Sequence, residues 1–230
     1  MLFLCYTKNG SEHMKKLKIL YEDKNLLVVD KESGLLTIST PKEKNRTLFH
    51  EASDYVKKQY PKNKVFIVHR LDKDTSGIVV FAKNQETKNK LQNTWEKTKR
   101  GYLAIVEGHL SPKKDTLKSY LVETKSLDVY STKDPKKGKI AITEYEVINS
   151  NKNYSLLKIN IKTGRRNQIR VQLSDIKHPI IGDKKYHSKT NPINRLGLHA
   201  NYLEFTLDNK TYTFTTDYPT YFTKIFPNML

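Results

Sequence analysis

The sequence predicts one α+β unit, and three observations predict it. Short β-type runs and amphipathic helical stretches follow one another without a repeat, a linker or a break in composition. The 230 residues are enough to bury a substantial core. Apolar residues make up 37% and aromatics 10%, and they are grouped into periodic runs rather than diluted evenly, so the chain is expected to fold. The pattern leaves room for two lobes meeting near residue 110.

Taken in order, residues 1–14 show no periodicity and are expected to form a disordered tail or a start-site extension, with Met14 as an alternative start. The catalytic unit would then span 15–230. Residues 19–23 and 26–30 read as a turn followed by a buried strand, ended by Ser33 and Gly34. From Thr47 the apolar positions Leu48, Phe49, Ala52, Tyr55 and Val56 recur at three- and four-residue steps, which predicts a helix closed by Pro61. Residues 65–68 and 78–81 are β-branched and aromatic, and they flank a polar segment over 69–77 whose Asp, Thr, Ser and Gly supply turn chemistry. A polar loop clamped by two core strands is a rigid mount for a functional side chain, although a hairpin tip facing water has the same pattern.

Asn84 is placed to cap a second helix with Leu91 and Trp95 on its apolar face. Residues 101–108 form another β-type run with Tyr102 at its mouth. Residues 120–123, 140–148 and 154–161 alternate as half-buried strands do, around a Lys-rich loop over 133–139. Thr163 and Gly164 break the pattern, and a helix follows with Ile169, Leu173 and Ile176 on one face. Arg165, Arg166 and Arg170 cluster at its start, which the helix dipole disfavours unless they serve an anion. Residues 196–207 and 212–216 are again β-rich, and 219–227 reads as a docked terminal segment.

Lys and Arg number 42 against 24 Asp and Glu, a net charge of +18. Such an excess draws polyanions, nucleic acid first, although a Lys-rich surface without function would look alike. No apolar run approaches the ~20 residues of a membrane span, and the first residues are too short for a signal-peptide core. No membrane association and a cytoplasmic location are therefore expected. Cys5 is the only cysteine, and the seven His lack ligand spacing, so no metal site is expected. No phosphate-loop, dinucleotide or serine-hydrolase motif occurs, which favours chemistry without a cofactor. Three polar features remain: Asp72 on the clamped loop, Tyr102, and the arginine cluster. A carboxylate beside a guanidinium stays ionised and can act as a nucleophile or stabilise an oxocarbenium-like centre.

The segment HRLDKDTSG over 69–77 resembles the H-R-L-D-x-x-T-S-G signature of the RluA-type pseudouridine synthases, which convert uridine in RNA to its carbon-linked isomer. Residues 19–23, 26–31, 100–108, 163–170 (TGRRNQIR), 178–183 (HPIIGD) and 198–200 (LHA) agree in order, so the resemblance covers roughly 17–220. It departs at Asn167 and Gln172, where the family often has His, and at Glu32, where a Pro often follows the Lys. Fewer than twenty residues precede the pattern, so the amino-terminal S4-like RNA-binding module of many relatives is expected to be absent.

The resemblance implies a mixed, mainly antiparallel central sheet with flanking helices and a cleft at its centre. It implies Asp72 as the catalytic carboxylate, Tyr102 lying against the uracil as the candidate for proton removal, and Arg170 pairing with Asp72. Arg70 would position RNA, and Arg165, Arg166 and Lys73 would be further RNA contacts. The expected partner is ribosomal or transfer RNA, and a monomer is expected. A catalytically silent RNA-binding protein on the same scaffold and a base-releasing glycosidase using Asp72 are the competing readings.

Overall fold

The computed structural model describes residues 17–227 except 42 and 45, and the tail expected over 1–14 lies outside the described residues. The strands are β1 (Ile19–Glu22), β2 (Leu26–Lys31), β3 (Phe66–Ile67), β4 (Ser76–Ala82), β5 (Lys99–Glu107), β6 (Lys114–Glu123), β7 (Val129–Thr132), β8 (Lys139–Ser150), β9 (Tyr154–Ile161), β10 (Leu198–Leu207) and β11 (Lys210–Thr215). The helices are α1 (Leu48–Gln59), α2 (Gln85–Thr94), α3 (Gln168–Asp175) and the short α4 (Thr220–Thr223). One sheet carries every strand in the order β1-β2-β4-β10-β5-β9-β8-β6-β7, with β3 against β4 and β11 against β10. It runs unbroken across residue 110, because β5 joins β10 on one side and β9 on the other. The chain is thus α+β with a mixed, mostly antiparallel sheet.

β2 and β4 are buried on both faces, which is why they read as unbroken apolar runs. Leu27, Val29, Val79 and Phe81 face α1 through Leu48, Ala52 and Val56. Leu26, Val28, Val80 and Ala82 face the other way and pack with Leu91 of α2. The helix starts follow the sequence: Thr47 Oγ1 accepts the His50 N–H, and Asn84 Oδ1 accepts the Thr87 N–H at 2.8 Å. Phe222 and Phe226 dock the terminal segment against Ile105 and Leu156.

The strand expected over 65–68 shortens to two residues, because Val65 and Val68 leave the ladder to enter the core. β4 instead begins inside the polar segment, at Ser76. β6 starts at Lys114 rather than Tyr120, through a polar and largely exposed first half, and β7, a four-residue strand with only Val129 buried, was not expected. Among the described residues the one parallel ladder joins β4 to β10, pairing His199 with Ser76 and Ala200 with Gly77. Gly77 has φ +118°, and a Cβ there would lie 2.2 Å from the Ala200 carbonyl oxygen, so only glycine fits. The catalytic-type loop therefore runs directly into the middle of the sheet.

Candidate active site

The loop over 68–75 is held from beneath by residues 31–37. Lys31, almost wholly buried, donates to the carbonyls of Glu32, Leu35 and Lys73. Burial is the main cause that brings its amine down to about 8. Thr37 Oγ1 donates to the Leu71 carbonyl and accepts the Leu71 N–H, and Ser33 Oγ donates to the Asp74 carbonyl. The Thr75 N–H closes a turn onto the Asp72 carbonyl. Asp72 is thus fixed by its backbone, while its side chain stays 31% exposed at the floor of a cleft of about 730 Å³. That volume suits a nucleotide-sized guest.

Arg170 comes to Asp72 from the first turn of α3, with Nη1 3.6 Å from Asp72 Oδ2. Its own position is set by Asp183, whose side chain is fully buried and accepts Nε at 2.7 Å and Nη2 at 2.8 Å. Asn167 Oδ1 accepts Nη1 at 3.0 Å, and the Tyr186 ring lies under the guanidinium. Burial opposes the Arg170 charge, but Asp183, and then Asp72, more than offset it and hold the group above its ordinary value. Bidentate binding to Asp183 leaves one edge of the fork for Asp72.

Tyr102, on β5, touches both core clusters that meet at the cleft. Burial, with Asp72 adding to it, pushes its hydroxyl up to about 12, so the phenol is protonated at neutral pH. His69 stacks on Trp95 at 4.6 Å and its Nε2 accepts the Val80 N–H. Burial, and then the Arg100 charge, bring His69 down to about 3.

The structure brings Asp72, Tyr102 and Arg170 into one cleft, together with Arg70 and Arg165 on its walls. Arg165 Nε donates to the Ile140 carbonyl. Arg166 does not line the cleft and pairs instead with Glu123 at 3.1 Å. Lys73 is exposed outside the cleft wall and contributes its carbonyl to Lys31. The sequence did not single out Asp183, Lys31 or Arg100; Asp183 ended a matching segment, and that was its only signal. Asn167 and Gln172, the departures from the family pattern, serve the scaffold. Asn167 bridges Tyr186 and Arg170, and Gln172 ties α3 to Leu117, Ser119 and Ala141.

The mixed, mostly antiparallel sheet with its flanking helices is the pseudouridine synthase fold, which solved structures share. The human RNA pseudouridylate synthase domain containing 4 superposes with a TM-score of 0.77 at 22% identity, covering 90% of each chain. The human domain containing 1 gives 0.74 at 22% identity over 93% of this chain and 87% of that one. The chain belongs to the RNA pseudouridylate synthase family, whose profile matches residues 25–175. An uncharacterized RNA pseudouridine synthase of Mycoplasma genitalium is 37% identical over 83% of this chain and 62% of that protein. The tRNA pseudouridine synthase C of Haemophilus ducreyi is 34% identical over 83% and 86%. The ribosomal large subunit pseudouridine synthase D of Borreliella burgdorferi is 32% identical over 88% and 65%. The chain spans less than two thirds of the length of the Mycoplasma genitalium and Borreliella relatives. Among the described residues no helix is long and apolar enough to cross a membrane.

Proposed function

We propose that this protein isomerises uridine to pseudouridine in ribosomal or transfer RNA, with Asp72 as the catalytic carboxylate. The observation that carries the reading is the fixed Asp72–Arg170–Asp183 chain on the floor of a basic cleft. In the reaction the bond from sugar carbon 1′ to base nitrogen 1 breaks and a bond from carbon 1′ to base carbon 5 forms. The hydrogen on carbon 5 leaves, and nitrogen 1 takes up a proton, so atoms and electrons balance without a co-reactant.

The uridine is extruded from its stack, at a cost of a few kcal/mol, and enters the cleft. Tyr102 offers a ring for the base to lie on. Arg170 keeps Asp72 ionised and aimed, and Asp72 attacks at the sugar or the base so that the base detaches, turns and rejoins through carbon. The closed cleft keeps water from capturing the detached intermediate. Removal of the carbon-5 proton falls to Tyr102. It acts as the phenolate, the minor form at neutral pH because its hydroxyl is held near 12, and the proton it takes from carbon 5 is then released to solvent. The names of the Haemophilus and Borreliella relatives support transfer and ribosomal RNA as the substrate classes, and a monomer in the cytoplasm fits both.

RNA tritiated at uridine carbon 5 tests the proposal. Release of tritium by wild type and not by Asp72→Asn is the expected result. Equal RNA binding with no release by either protein would make it a silent binder, and free uracil would make it a glycosidase.

A further inference from the structure

We infer that Arg100 anchors a backbone phosphate of the RNA, drawing one phosphodiester group into the side of the cleft closed by residues 162–165. The inference rests on the RNA reading above and deepens it. Arg100 is 9% exposed and lines the same cleft as Asp72 and Tyr102. A guanidinium has five N–H donors. Here one of them reaches an acceptor, the Lys162 carbonyl at 3.3 Å, and the buried Nε has no partner. Among the described residues no carboxylate stands within ion-pair distance; Glu96 and Tyr102 act on the charge only at longer range, and burial outweighs them.

The other buried arginine, Arg170, and the half-buried Arg195 have more partners. Arg170 has Asp183 and Asn167, and Arg195 bonds Ser76, Leu196 and Leu198 while lying over the Tyr221 ring. A buried cation without a counter-charge is an unfinished contact. The backbone of Gly164 packs closely on Nη1, where a Cβ would lie 2.6 Å away, and the approach left to a guest is from the cleft that Arg100 lines. The ionisable lining has five cations, Arg70, Arg100, Lys162, Arg165 and Arg170, against the carboxylates of Asp72 and Glu96. Asp72 is occupied by Arg170 and Lys162 pairs with Glu144 at 2.9 Å, so the excess falls on Arg70, Arg100 and Arg165, of which Arg100 is the buried one.

Phosphate satisfies this geometry better than the base does. The uracil edge offers neutral carbonyls, which accept a hydrogen bond but cancel no charge. A phosphodiester cancels it and fits the guanidinium fork with two oxygens. Extruding a nucleotide also carries its flanking phosphates toward the cleft mouth.

The test uses a short RNA stem-loop with a single loop uridine, made as a series in which one linkage at a time is an uncharged methylphosphonate. Wild type is expected to lose affinity about tenfold, or ~1.4 kcal/mol, at one linkage beside that uridine. Arg100→Met should lose affinity for the native stem-loop, become insensitive at that linkage alone, and show a salt slope smaller by about 0.7. Arg100→Lys keeps the charge without the fork and should retain part of the sensitivity, which also serves if the Met variant fails to fold. A flat wild-type scan, or identical scans and slopes for wild type and Arg100→Met, overturns the proposal. So does a variant that changes discrimination of loop uridine from cytidine while keeping the phosphate profile. The tritium assay is independent: a phosphate effect without tritium release retains this inference and removes the synthase reading, and the converse separates them equally.

Discussion

Arg170 and Arg100 line one cleft and are both about nine-tenths buried, yet Arg170 lies between two carboxylates and an amide oxygen whereas Arg100 has a single carbonyl. The surroundings drive their charges in opposite directions. Asp183 lifts Arg170 above its ordinary value, and uncompensated burial lowers Arg100. A side chain that must orient a reacting group gains from being fixed before substrate arrives. A side chain whose partner arrives with the substrate stays unpaired until then. The comparison separates the chemistry of the cleft from its grip on RNA.

The largest break in that comparison is at Asp72. Asp72→Asn is expected to lower tritium release on the order of a thousandfold or more while leaving RNA affinity within about threefold; filter binding beside the release assay checks both. Next is Asp183, whose removal strands the Arg170 charge in a buried site. Asp183→Ala should cost about 3–5 kcal/mol of stability, read as a shifted urea midpoint, whereas Arg100→Met should cost far less because it removes a charge that nothing pairs. Tyr102→Phe should reduce turnover on the order of a hundredfold and keep binding. With the hydroxyl near 12, a step limited by the Tyr102 phenolate should quicken about tenfold per pH unit between pH 7 and pH 9 in wild type and lose that rise in Tyr102→Phe.

A smaller effect links the two halves through His69. Its folded value, near 3, lies below the ordinary 6.5, so the unfolded chain binds more protons between those values. Stability is complete above about pH 6.5 and declines as pH falls toward 3, by up to about 1.4 kcal/mol per pH unit for this ring. His199, brought down to about 4 mainly by burial, adds in the upper part of the same window. Because Arg100 contributes to the depression of His69, Arg100→Met should shallow the decline as pH nears the folded value, which urea unfolding at pH 7 and pH 3 measures. The smallest effect belongs to Arg166→Ala. The Arg166–Glu123 pair is solvent-accessible, and its loss should change stability by less than about 0.5 kcal/mol.

The contrast between the arginines also marks how far the residues alone could be read. Arg165, Arg166 and Arg170 stood out together as a cluster; Arg165 and Arg170 line the same cleft, while Arg166, just ahead of the helix that begins at Gln168, turns away to Glu123. Adjacent residues on a turn point in different directions, so proximity in sequence did not place all three in the cleft. Arg100 entered only as the first residue of the matching segment 100–108. It is the second residue of β5, and strand alternation turns it inward on the same side as Tyr102. The strand beginning at 99 would have been the signal.

The family, the α+β class and the helix caps at Thr47 and Asn84 were determined by the sequence itself, because each depends on a local pattern or a contiguous signature. The parallel joining of β4 to β10, the Asp183 clamp on Arg170, the Lys31 support beneath the loop and the bare charge of Arg100 were decided by the tertiary structure. Each depends on which residues meet across the fold and which are left without a partner. Periodicity records burial, but it does not record pairing between residues far apart in the chain.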